Sequence, residues 1–73
     1  MKNNSERLLD VFNRIFKTKY MLINIAKEKM PEWDSMKHAE LIIELQKEFK
    51  MKFDIEDVLE LKNLEDFLPM IRQ

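Results

Sequence analysis

The chain has 73 residues, no cysteine and no glycine, and 13 basic against 14 acidic side chains for a formal net charge of −1. That length holds one domain, residues 1–73. Folding buries only about 60% of the surface such a short chain exposes, and without cysteine neither a disulfide nor a thiolate metal site can staple it. The balanced charge argues against a nucleic-acid binder working through a broad positive field, while leaving room for a local basic patch, and no apolar run approaches the ~20 residues of a membrane span.

Residues 1–6 are polar and lack the apolar core of a secretory signal, so a cytoplasmic location is expected, and the absence of cysteine is compatible with a reducing compartment. The first periodic segment is SERLLDVFNRIFK. Leu8, Val11, Phe12, Ile15 and Phe16 recur at spacings of three and four, which predicts a helix over about residues 5–17. Asn4 or Ser5 suits its cap, and Glu6 suits the positive first turn.

Residues 18–34 form a long connection carrying Tyr20, Met21, Leu22, Ile23 and Ile25. Long ordered loops fold back on the body or do a job, and these apolar residues predict packing across the helices. A short helix over NIAKEKM, capped by Asn24, fits the pattern, with Pro31 stopping it. Trp33 reads as a packing anchor under this loop.

The second helix is expected to start at Ser35. Ala39, Ile42, Leu45 and Phe49 form its apolar stripe, widened by Leu41 and Ile43, while Lys37, Glu40, Glu44, Lys47 and Glu48 lie opposite. In DIEDVLEL, Asp54 caps a short helix with Ile55, Val58 and Leu59 inward. In NLEDFLPMI, Asn63 caps a last helix with Leu64, Phe67, Leu68 and Ile71 inward. Pro69 removes a backbone donor there and clashes with the carbonyl of Glu65, so that helix should kink or end early. No segment has strand alternation or hairpin chemistry. The expected fold is all-α: a small four-helix bundle of three longer helices and one short one, with a long loop between the first two.

Taken alone, Ser35 reads as an ordinary helix N-cap. His38, the single histidine, lies three residues later and so near Ser35 on the helix surface. A Ser–His nucleophile is conceivable, but nothing in the sequence positions a third group or an oxyanion hole, and an exposed polar histidine is the default. One histidine without cysteines does not make a zinc site. Met36 reads either as a flexible apolar contact for partners or as a half-buried staple against the loop. Glu40, Glu44 and Glu48 make an acidic row, which is either a solvated face or a docking strip.

The run WDSMKHAELIIELQKEF, followed by FDIEDVLELKNLEDFL, resembles the acyl carrier protein family, whose domains carry a phosphopantetheine attachment site. Asp34, Ser35 and Met36 stand at the family's Asp-Ser-Leu signature, with Met for Leu. Glu40 and Leu41 match its Glu-Leu pair, and Phe49 its later Phe. The Trp-Asp-Ser-Met form is similar to stand-alone carriers, and the resemblance extends over essentially the whole chain.

The resemblance implies a non-catalytic carrier with 4'-phosphopantetheine attached covalently to Ser35. Asp34 would engage the transferase's Mg²⁺, and the arm's thiol would hold acyl or aminoacyl groups as thioesters. It implies as partners a phosphopantetheinyl transferase, an acyl- or aminoacyl-activating ligase, and a downstream acyltransferase or synthase of fatty acid, polyketide or secondary-metabolite biosynthesis. Met36, Glu40, Glu44 and Glu48 would face those partners, with Glu40 the best single candidate. Ile43, Leu45 and Leu59 would line an acyl pocket opening from the core. Neither nucleic acid nor membrane is an expected partner, and a monomer is the default. Two residues depart from the family pattern: Lys50 stands where glycine often ends the second helix, so that helix is expected to run on or end differently, and Pro69 is unusual. The alternative is an unmodified helical protein-interaction domain.

Overall fold

Two long helices with complementary apolar stripes set the architecture. The computed structural model describes residues 2–71. Helix α1 spans Asn4–Phe16, α2 spans Ser35–Phe49 and α3 is the single turn Ile55–Val58; 3-10 segments run over Lys27–Lys29 and Leu64–Met70. The result is a small all-α bundle with a long connection between α1 and α2. Among the described residues there is no strand, only an isolated antiparallel bridge between Ala26 and Asn63.

Helix α1 begins one residue earlier than its apolar pattern suggests, because Asn3 caps it rather than Asn4 or Ser5. The Asn3 side chain accepts from the Glu6 N–H at 2.9 Å, and Glu6 reaches back to the Asn3 N–H at 3.3 Å. This reciprocal capping box satisfies two amides that a helix start otherwise leaves unpaired. The helix buries Leu8, Val11, Phe12, Ile15 and Phe16 on one face and stops at Lys17, whose backbone turns left-handed at φ 56.

Helix α2 buries Leu41, Ile42, Leu45 and Phe49 against that face. The stripe is narrower than expected, since Ala39 and Ile43 point to solvent. The helix ends after Phe49, where Lys50 takes the left-handed conformation (φ 51) and its N–H bonds to the Gln46 carbonyl. Lys50 thus performs the stop that glycine makes at lower steric cost. The expected irregular end is not found. The Gln46 side chain then accepts from the Phe53 N–H at 2.9 Å and holds the turn into α3.

The connection does not form an Asn24-capped helix. Only Lys27–Lys29 winds, as 3-10, from an Ala26 that offers no side-chain cap. The reason is competition. Lys27 N–H bonds to the Lys62 carbonyl at 2.8 Å and Leu64 N–H to the Ile25 carbonyl at 2.9 Å. These cross-links hold the chain extended at 25–26, stitch the loop to the start of the last segment, and sink Ile25, Met30 and Trp33 into the core.

Helix α3 is capped by Asp54, which accepts from the Glu56 N–H. It buries Val58 alone; Ile55 and Leu59, expected inward, are exposed because a single turn has room for one core contact. The last segment is 3-10 rather than α. Pro69 has no N–H to give the Glu65 carbonyl, the bond an α-helix requires there. Leu64, Phe67 and Ile71 still face the core and Leu68 is half-buried. Asn63 holds the cap position without a side-chain bond to a backbone amide; its side chain donates to the Asp66 carboxylate instead.

Candidate functional site

The N-terminal end of α2 is where exposed chemistry and rigid support meet. Asp34, not Ser35, is the cap: its backbone is extended and its carboxylate accepts from the Lys37 N–H at 2.9 Å. Ser35 is therefore the first helical residue. It is exposed and its hydroxyl is not spent on capping. The first backbone bond of α2 runs from the His38 N–H to the Asp34 carbonyl, so the amides of Ser35 and Met36 lie ahead of the intrahelical ladder at its positive end. Met36 is 81% exposed, which removes the staple reading.

Beneath this exposed turn the structure is tied down by a residue expected at the surface. His38 is only 2% exposed. Trp33 Nε1–H, which can only donate, points at His38 Nδ1 at 3.0 Å. Nδ1 is therefore the acceptor, the proton sits on Nε2, and Nε2–H donates to the Val58 carbonyl at 2.9 Å. This neutral imidazole bridges the loop, α2 and α3. Burial pushes its pKa below the ordinary value; the Val58 carbonyl opposes that shift and the Lys27 charge adds to it. With both nitrogens engaged inward, His38 is not placed to serve as a base for Ser35. The ring lies 5.9 Å from both the Trp33 and Phe67 rings, and Trp33 meets Phe12 and Phe16 edge-on at 5.3 and 5.9 Å.

The acidic row on α2 splits along its length. Glu48 accepts from Arg7 at 3.0 Å while the same guanidinium bonds the Glu48 carbonyl at 2.9 Å and covers the Phe49 ring at 4.4 Å. Glu44 lies 3.7 Å from both Arg14 and Lys47. Glu40 meets only Lys37, at 3.6 Å, and is the most exposed of the three. Helix α1 thus neutralises the far end of the row and leaves the end near Ser35 open.

Ile43, Leu45 and Leu59 are not brought together. Leu45 is fully buried, and Ile43 borders a surface cleft formed with Lys50, Met51 and Lys52. Leu59, 54% exposed, lines an open groove of about 990 Å³ with Met30, Trp33 and Leu61, flanked by Lys27 and Lys62 and by Glu28 and Glu60.

No protein-family model, curated protein or solved structure matches this chain. The chemistry rests on the side chains themselves. Among the described residues no three His, Asp or Glu side chains converge to hold a metal ion, and no helix is long and apolar enough to cross a membrane. Sequence reasoning missed His38 as a buried bridge. The available signal was its spacing: His38 stands three and four residues before Leu41 and Ile42, in line with the buried stripe of α2.

Proposed function

We propose that this chain is a carrier domain of the acyl carrier type, modified at Ser35 with 4'-phosphopantetheine. The observation that carries the reading is the exposed Ser35 hydroxyl, released from capping by Asp34 and set on the first turn of a helix whose position the Trp33–His38–Val58 bridge fixes. The residues fit the group. A phosphodiester on Ser35 would sit at the positive end of α2 beside the Ser35 and Met36 amides. When bound, the arm supplies a terminal thiol that holds an acyl or aminoacyl group as a thioester.

In the attachment reaction the Ser35 hydroxyl would give its proton to a base of the transferase as its oxygen forms one P–O bond to the pantetheine-bearing phosphorus of coenzyme A. The 3',5'-ADP leaves with the bridging oxygen. The exposed Asp34 carboxylate is positioned to share the transferase's Mg²⁺, a hard cation that takes oxygen ligands. Docking of the transferase, a loading ligase and a downstream acyltransferase or synthase falls first on Met36 and Glu40, since Glu40 is more exposed than Glu44 and Glu48, which helix α1 partly covers through Arg14 and Arg7. Weak, partly electrostatic contacts suit a carrier that visits several enzymes in turn. The cytoplasm, where coenzyme A is abundant, fits this role.

The test is direct. Incubation of the apo protein with coenzyme A, Mg²⁺ and a broad-specificity phosphopantetheinyl transferase should add one phosphopantetheine to the intact mass, and Ser35→Ala should abolish the gain. No gain with several transferases overturns the proposal in favour of an unmodified helical interaction domain, a reading that the exposed Met21, Leu22 and Met36 favour.

A further inference from the structure

A second surface, at the turn after α1, is not used by the carrier reading. Residues 11–27 contain Arg14, Lys17, Lys19 and Lys27 and no acidic residue, so all 14 acids of the chain lie elsewhere. The net charge of −1 conceals this polarity. Arg14 faces Glu44, while Lys17 and Lys19 are exposed beside the turn and Lys29, next to the exposed Glu28, borders it from the other side.

The turn also projects apolar side chains that the fold holds outward. Asn13 accepts from the Thr18 hydroxyl at 2.8 Å and from the Tyr20 N–H at 3.1 Å, and its amide donates to the Tyr20 carbonyl at 3.0 Å. The left-handed Lys17 and the bond from Thr18 N–H to the Asn13 carbonyl complete the clamp. Tyr20 leans on Phe12, ring centroids 6.2 Å apart, but Met21 and Leu22 stand 85% and 69% exposed. Two consecutive exposed apolar residues on a clamped turn, beside a shallow pocket that Tyr20 and Lys29 also line, with Lys17 and Lys19 exposed nearby, form an interfacial profile. Lipid headgroups complement the cations and the acyl boundary takes the apolar tip.

We propose that this turn is a peripheral docking site for an anionic lipid surface, with Met21 and Leu22 inserted at the acyl boundary and Lys17, Lys19 and Lys29 on the lipid phosphates. Two apolar side chains and three cations make the attachment weak and reversible. The turn shares an end of the bundle with Ser35: Lys37 Nζ lies 3.4 Å from the Ile15 carbonyl and the Phe16 ring 5.9 Å from Trp33. Docking therefore brings the Ser35 end toward the membrane. The proposal departs from the sequence expectation that no membrane is a partner, and it stands independently of whether Ser35 is modified.

Flotation of the full chain tests it, with vesicles of phosphatidylcholine alone and of phosphatidylcholine mixed equally with phosphatidylglycerol. At low salt the protein should float with the anionic vesicles only and be released by high salt. The Lys17→Glu/Lys19→Glu double variant should partition roughly 30-fold more weakly or worse. Met21→Asp and Leu22→Asp should each lose binding while keeping the wild-type helical circular dichroism, and Ser35→Ala should float like the wild type. No flotation with anionic vesicles overturns the proposal. So does equal flotation with neutral vesicles, or binding indifferent to Met21→Asp and Leu22→Asp. Binding of single-stranded RNA that matches vesicle binding and ignores those two variants would assign the lysines to a polyanion instead, and also overturns it.

Discussion

The two ends of α2 are built for different purposes. At its C-terminal end, polar side chains are consumed by the fold: Arg7 holds Glu48 through its side chain and its carbonyl, and Arg14 faces Glu44. At its N-terminal end, the structural tasks are taken over by neighbours. Asp34 caps, His38 anchors from below, and Ser35, Met36 and Glu40 are left facing outward. The lesson is that leaving a hydroxyl exposed and unengaged at a helix start on a 73-residue domain needs a deputy for each structural role its position would otherwise impose.

The contrast breaks most severely at His38. His38→Ala strands the Trp33 N–H and the Val58 carbonyl in the core and opens a void, and should destabilise the fold by about 2–4 kcal/mol in urea unfolding. A loss under ~1 kcal/mol would mean that the bridge is not what fixes the Ser35 turn. The same residue predicts a pH effect. Its pKa is lower folded than unfolded, so below about 6.5 the unfolded chain binds more protons than the native one. Stability should be full above that pH, fall as pH drops through it, and level off once the native imidazole also titrates. His38→Gln should erase that step in a urea-midpoint series.

At the opposite end, Arg7→Ala removes an ion pair, a bond to a carbonyl and the cover over Phe49, and should cost about 1–2 kcal/mol. Arg14→Ala, with one loose contact at 3.7 Å, should cost under ~0.5 kcal/mol. Equal losses would show that the acidic row is held diffusely rather than by Arg7.

Division of labour between neighbours is sharpened by a matched pair. Asp34→Ala should lower stability by about 1 kcal/mol, whereas Ser35→Ala should change it by less than ~0.5 kcal/mol, because the cap belongs to the aspartate. A reversed order would return the serine to a structural role. The smallest effect is a gain: Lys50→Gly relieves a left-handed lysine at φ 51 and should raise stability by about 0.5–1 kcal/mol.

Periodicity made α1 and α2 legible to within a residue or two, and with them the core positions Leu8, Phe12, Leu41, Leu45 and Phe49. Such patterns report one face of a long helix and are repeated often enough to average out exceptions. The misses cluster where an element is short. Ile55 and Leu59 look inward in a helical wheel, but one turn cannot bury both flanks. The expected acyl-pocket set fails to converge for a related reason: Ile43, Leu45 and Leu59 share hydropathy, not a surface.

What the sequence determined by itself is an all-helical bundle with a serine at the mouth of its second long helix, because apolar spacing and helix-breaking residues act locally along the chain. Which side chain caps that helix, that its lone histidine is buried and neutral, and that the loop stays extended instead of coiling were decided only in three dimensions. The histidine and the loop depend on partners distant in sequence, Val58 for His38 and Lys62 and Leu64 for the loop, whereas the cap is a local choice between neighbouring side chains. A hydrogen bond between segments outweighs a local preference of a few tenths of a kcal/mol per residue, and such bonds exist only once the chain has folded.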